Sequence, residues 1–419
     1  MIDLTELGAT ELLTRLQEGR ATAVELVEAH LARIEALNAD LNALVTLNPE
    51  AIDIARDRDL ALAQGSAVGP LHGLPVTIKD SIETAGLRTT AGYPPLKSHV
   101  PTRDAALVER IRRAGAIVLG KSNVSRLAAD WQTDNPLFGR TANPWDHRLT
   151  PGGSSGGAAV AVASGMSPLD FGTDLGGSIR IPAHFCGIFG LKTTEGRVPG
   201  SGVIPDDGIP GRPGTGILHQ SVCGPLARSV ADLQLAFRVI AGPHRDDHRV
   251  APVPSADLPA LPDSLRLAFS MSFGAHEPDR ATQGVLAAFR GRLESAGLTL
   301  RHMDPDPAWL ARAWRAWGLL VGAELGRELP GWQRIGMRVR RILGMQGCVL
   351  EAALTEGRML SVQGYLGALR ARAVVAGEVD EILDGVDAWL CPVSLTPAIA
   401  PRRIGAAVDV DGKPVSYTA

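Results

Sequence analysis

Leu74-Pro-Val-Thr-Ile-Lys-Asp80, then helically spaced Leu107, Ile111 and Ala114, then Ala116-Ile-Val-Leu119 make up the stretch that decides the fold. The first run is short and apolar between Gly73 and a polar end, so it reads as a strand closing on Lys79. Residues 104–114 carry apolar side chains at helical intervals and stop at Gly115. The second apolar run is then a buried strand. Strand, helix and strand in succession predict an α/β layer architecture.

Working outward, the first 68 residues read as helices. Thr10 is the expected cap of a segment that turns Leu12, Leu13 and Leu16 inward. Thr22 with Glu25 has the form of a capping box, opening a helix with Leu26, His30, Ile34 and Leu37 on one face. His30 on that face reads as a satisfied core residue and not as a ligand. Downstream, residues 151–190 hold ten of the 47 glycines. They are no linker, because Ala158 to Ala163, Phe171, Ile179, Phe185 and Phe189 are apolar; glycine here allows tight turns and close backbone approach within a core. Ser229, Asp232, Leu233, Phe237 and Ile240, ended by Gly242-Pro243, read as a punctuated helix. A Pro-rich tract at 250–262 precedes a strand-like Leu265/Leu267/Phe269 alternation. Trp309, Trp314, Trp317 and Trp332 read as the core of a long helical region, and Trp389-Leu-Cys-Pro392 as a buried strand.

Composition bounds the function. Forty-five per cent hydrophobic and 21% charged residues describe a packed globule. Lys plus Arg (42) nearly balances Asp plus Glu (45), which argues against a nucleic-acid partner. The run Arg334, Arg338, Arg340 and Arg341 reads as a solvated helix face. Cys186, Cys223, Cys348 and Cys391 lie far apart, giving neither a disulfide framework nor a zinc site. No apolar run approaches the roughly 20 residues that span a bilayer, and the N-terminus is acidic where a signal peptide is basic, so the expectation is a cytoplasmic protein with no membrane partner.

Three motifs bear on chemistry. Gly115-Ala-Ile-Val-Leu-Gly-Lys-Ser122 matches a phosphate-loop pattern, but its middle residues are themselves the expected strand, so nucleotide binding is rejected. Gly152-Gly-Ser-Ser-Gly-Gly157 matches G-x-S-x-G at Ser154 and at Ser155. Turn-forming residues 143–151 precede it instead of a strand, and none of His184, His219, His276 or His302 has a recognisable setting. A Ser-His-Asp esterase stays open as an alternative. In Gly172-Thr-Asp-Leu-Gly-Gly-Ser-Ile-Arg-Ile-Pro182, two glycines before Ser178 free the backbone to turn its amides toward one point. A lysine closing an apolar strand can serve as the base for such a serine when burial makes its neutral form accessible.

Taken together, Pro151-Gly-Gly-Ser-Ser-Gly-Gly-Ala-Ala and the block from Gly172 to Ala183 resemble the amidase signature family. Gly73 to Asp80, Gly120-Lys-Ser-Asn123, Phe138 to Trp145, Phe185-Cys-Gly187, Gly190-Leu-Lys192 and Gly224 to Asp232 match in order. The resemblance implies a single large α/β/α unit with a mixed central sheet covered by helices. Across 1–419 it divides into a helical region (1–72), a signature core (73–242), a variable substrate-side region (243–395) and the start of a C-terminal block (396–419). It also implies a Ser–cis-Ser–Lys triad of Ser178 as nucleophile, Ser154 as bridging serine after a cis peptide, and Lys79 as base. The oxyanion would be held by the amides of Leu175, Gly176, Gly177 and Ser178, with Asp174, Arg180, Trp131 and Ser155 in support. No cofactor or metal is implied. The expected partner is a small-molecule amide, and a homodimer stays open. Ile181 and Leu175 lean toward stand-alone amidases; an amidotransferase-like subunit, or an inactive homologue acting as a binding protein, is the alternative. Ser125-Arg126 stands where the family usually has an acidic residue, and Thr193 and Glu195 replace a Pro and an aromatic. Family members continue past Tyr417-Thr-Ala419 into another strand block and helix, so a truncated chain is expected.

Overall fold

The computed structural model describes residues 2–66, 69–210, 216–252, 265–272, 274, 276–326 and 349–417. Its contacts form two compact units, Met1–Ser255 and Ala256–Ala419.

The first unit is an α/β assembly built on a six-stranded mixed sheet. β2 (Pro75–Lys79) runs parallel to β3 (Ile117–Ser122) on one side and to β4 (Leu169–Asp174) on the other. β1 (Leu44–Leu47) pairs antiparallel with β3 at one edge. β6 (Val222–Ala227) and then β5 (Phe189–Gly190) continue antiparallel beyond β4 to the other. Every residue of β2, β3, β4 and β6 is buried, as a sheet covered on both faces requires. The covering helices include α2 (Ala23–Leu41), α3 (Ala51–Ala63), α5 (Gly156–Ala163) and α7 (Val230–Ile240), all in contact with sheet strands. α4 (Ala106–Arg113) links β2 to β3 and sinks Leu107, Val108 and Ile111 into the core. Each such side chain contributes about 1.5–3 kcal/mol on burial.

Local signals explain several boundaries. Glu25 N donates to Thr22 Oγ1 and Thr22 N to Glu25 Oε2, closing the capping box of α2. Asn42, left-handed at φ 49°, ends that helix. Ser229 caps α7 by accepting from Asp232 N.

Other expectations are corrected. The first 68 residues are not all helical, because β1 supplies the edge of the sheet. Thr10 does not cap α1 (Ala9–Gln17). Gly8 stands at that position, and Thr10 N and Oγ1 both donate to Asp232. Ala158 to Val162 are buried within α5 as expected, and Ala163 at its end is only partly covered. Phe189 is half exposed on the two-residue edge strand, which covers only one of its sides.

The second unit holds a parallel three-stranded sheet in which β7 (Arg266–Phe269) lies between β8 (Thr299–His302) and β9 (Ala388–Leu390). α8 (Arg280–Ser295) precedes β8. α9 (Pro307–Gly326) packs on α10 (Val349–Gly357) and α11 (Val362–Ile382), and β10 (Val408–Val410) and β11 (Lys413–Val415) form a hairpin. Trp309 is buried as expected, but Trp314 is 42% exposed, and β9 is a partly exposed edge strand instead of a buried one. Trp332, Cys348, the Arg334–Arg341 run and the tract from 253 to 264 lie outside the described residues. No described helix is long and apolar enough to cross a membrane.

Candidate active site

Lys79 ends β2, and its side chain runs into the core with no exposed surface. Its Nζ donates to Ser154 Oγ at 2.7 Å and to Thr173 Oγ1 at 2.8 Å. Thr173 is presented by β4, which is hydrogen-bonded directly to β2. Burial pushes the ammonium group down to about 7 from 10.5, with the charges of Asp206, Asp174, Cys223 and Asp170 pulling the other way. Near neutral pH this lysine can therefore exist in its neutral form and accept a proton, whereas an exposed lysine stays protonated.

Ser154 follows a cis peptide bond from Gly153 and is fully buried. Ser155 stands at the N-cap position of α5, with its amide donating to Ser178 O at 3.2 Å and its Oγ to Thr173 O at 3.4 Å. The glycines around these serines are demanded by contact. A Cβ on Gly157 would lie 2.3 Å from Asn123 N and 2.6 Å from Ala43 O, and one on Gly153 would lie 2.7 Å from Gln132 O. No strand leads into Ser154 or Ser155, so the condition for a nucleophile elbow is not met.

Ser178 is 8% exposed and sits just before α6 (Arg180–Cys186). Asp174 organises this turn. Its carboxylate accepts from Gly177 N at 2.8 Å, Ile179 N at 3.0 Å, Arg180 Nε at 3.0 Å and Arg180 Nη2 at 2.9 Å. Burial works against the carboxylate, but Arg180 and these amides outweigh it and hold its pKa below the ordinary value. The Gly177 amide is thus engaged within the loop. Leu175, Gly176 and Ser178 amides find no acceptor among the described residues. Trp131 Nε1 donates to Gly176 O at 2.8 Å and fixes the same loop from outside. The expected positions thereby converge on one region of the first unit: Lys79 with Ser154, Ser155 with Ser178, and Asp174, Arg180 and Trp131 on the loop before Ser178.

Three roles escape sequence reasoning. Thr173 is the second acceptor of Lys79, Ser125 N donates to Ser154 O at 3.4 Å, and Asp206 acts on Lys79 through its charge. Ser125 also shares hydrogen bonds with the backbone of Asp130, so a neutral residue at this position still braces the Ser154 loop. Lys121, the lysine of the rejected phosphate-loop match, lies inside β3 and donates to Ile82 O and, at 2.7 Å, to Thr84 Oγ1. Its Gly120 and Ser122 neighbours are strand residues, leaving no open loop for a phosphate.

A family model described as Amidase matches residues 25–417. The chain is 44% identical over 429 residues to a glutamyl-tRNA(Gln) amidotransferase subunit of Chloroflexus aggregans, covering 95% of this chain and 84% of that one. It is 37% identical over 312 residues to the indoleacetamide hydrolase of Bradyrhizobium diazoefficiens, spanning 74% of this chain and 58% of that hydrolase. A solved amidase structure superposes with a TM-score of 0.74 at 28% identity, over 98% of this chain and 87% of that one.

Proposed function

This chain belongs to the amidase family, and from that premise we propose that it hydrolyses a carboxylic amide through an acyl-enzyme, with Ser178 as nucleophile, Ser154 as proton bridge and Lys79 as base. The observation that carries this reading is the buried Lys79 Nζ against Ser154 Oγ at 2.7 Å. Neutral Lys79 draws the Ser154 proton while Ser154 takes that of Ser178, whose Oγ attacks the amide carbonyl. The carbonyl electrons move to oxygen, and the amides of Leu175, Gly176 and Ser178, which have no acceptor among the described residues, are the donors assigned to it. Collapse expels the amine, which collects the proton back through Ser154. Water repeats the sequence on the ester and releases the acid. Two buried hydroxyls as the partners of Lys79, with no carboxylate in contact among the described residues, support a base that is neutral at working pH.

The test is turnover of a panel of aliphatic and aryl amides by the full chain and by Ser178→Ala and Lys79→Ala. Both variants should lose turnover, and retained activity in either would remove the assignment. A second reading has its own support: a relative at 44% identity is named as one subunit of an amidotransferase. On that reading the same residues release ammonia for a partner protein. Copurification with a second subunit, with activity only in its presence, would favour it over a stand-alone hydrolase.

A further inference from the structure

The segment between α6 and β6 carries Asp206 and is bonded to the chain that directly follows the lysine. Ile204 N donates to Ser81 O at 2.7 Å, and Val203 forms a β-bridge with Ile82. Ser81 and Ile82 follow Lys79 closely in the chain, and Ile82 N donates back to Lys79 O at 3.0 Å. Asp206 comes two residues after Ile204. Its carboxylate accepts from Ser221 Oγ, and its carbonyl accepts from Ile217 N at 2.9 Å. Ser221 leads into β6, where Cys223 stands opposite Thr173, the second acceptor of Lys79. Two separate stretches of chain therefore tie Asp206 to the Lys79 end of the sheet.

We infer that Asp206 is a positioning residue for the base: held by Ser221, its carboxylate steadies the Lys79 ammonium group, and the Asp206–Ser221 pair governs the pH at which the serine is activated. This rests on the reading of Lys79 as base. The groups acting on Lys79 are Asp206 first, then Asp174, Cys223 and Asp170. Asp174 is already bound by Arg180, and Asp170 accepts from Thr77 Oγ1 at 2.5 Å. Those acting on Asp206 are Lys79, Arg249 and Asp207. Burial lifts the Asp206 carboxyl above its ordinary range, while Ser221 and Lys79 draw it back. A negative charge near an ammonium group favours the protonated form, so removing it frees the neutral lysine at lower pH.

The experiment follows fluorophosphonate labelling of Ser178 by intact mass as a function of pH, in the full chain and in Asp206→Asn, Ser221→Ala and Lys79→Ala. The acid limb should move to lower pH by on the order of one pH unit in Asp206→Asn. It should move the same way by less in Ser221→Ala, where the carboxyl remains but is charged less of the time. A limb that stays in place, or moves upward, overturns the inference. Ser221→Ala decides alone if Asp206→Asn does not fold. Undiminished labelling in Lys79→Ala would instead overturn the reading of Lys79 as base, so the two failures are distinguishable.

Discussion

Replacing Lys79 by methionine gives the sharpest energetic test, because methionine keeps the length of the buried stem and loses the titrating group. In the unfolded chain a lysine stays protonated up to about pH 10.4. In the fold, burial brings Lys79 down to about 7. Between those values the unfolded chain binds up to one more proton than the native chain, so native stability rises with pH across the window. The slope approaches ~1.4 kcal/mol per pH unit, and from about pH 7 to about pH 9 it sums to roughly 2 kcal/mol. Below about pH 6 both states hold the proton and the contribution levels off at its least favourable value. The methionine variant has no proton to lose at this position. The stability of the natural chain minus that of Lys79→Met should therefore climb by roughly 2 kcal/mol over that range and be flat in acid. Urea unfolding of both proteins across one pH series measures it, and the subtraction removes every other group that titrates alike in the two chains. The lost hydrogen bonds to Ser154 and Thr173 offset the whole curve without tilting it. A difference that stays level between about pH 7 and about pH 9 would refute the claim that this lysine is buried in its neutral form.

Thr173→Val removes one acceptor of Lys79 while keeping the strand and the shape; amide turnover should fall about 5-fold to 30-fold, near the roughly 1–2 kcal/mol worth of a buried hydrogen bond. Unchanged kinetics would show that Ser154 alone orients the lysine. Arg180→Lys replaces a two-pronged grip on Asp174 by a point charge, so kcat should drop more than KM rises; a pure KM effect would place Arg180 in substrate binding instead. Gly157→Ala forces a methyl into backbone atoms of Asn123 and Ala43, and thermal melts should show a loss of about 1–3 kcal/mol or more. A melt like that of the natural chain would mean that the two segments can part freely.

Much of the fold around the site was legible because its signals are local. β2 and α4 show their periods within a dozen residues, and the Thr22–Glu25 box and the Ser229 cap sit beside the helices they start. β1 was not legible: four residues gain strand identity only by pairing with β3, some seventy positions away. The Thr10 error has the same origin, since its hydroxyl is claimed by Asp232 from across the unit. Within the site, Lys79 could be singled out from its place at the end of an apolar strand, whereas roles for Ser154 and Ser178 came with the family resemblance. Nothing local marks Thr173, whose neighbours Gly172 and Asp174 are equally buried, or Asp206, whose segment is joined to the chain after Lys79 only by the pairing of distant residues. Trp314, within α9, and Phe189, on an edge strand, mislead for the opposite reason: a large apolar side chain need not be covered.

The central claim is that Lys79 activates Ser178 through Ser154. Intact-mass labelling with a fluorophosphonate at neutral pH, followed by peptide mapping, tests it most directly. The account predicts one adduct per chain, on Ser178, and its loss in Lys79→Ala. An adduct on Ser155 or on no serine of this loop, or full labelling without Lys79, would contradict it.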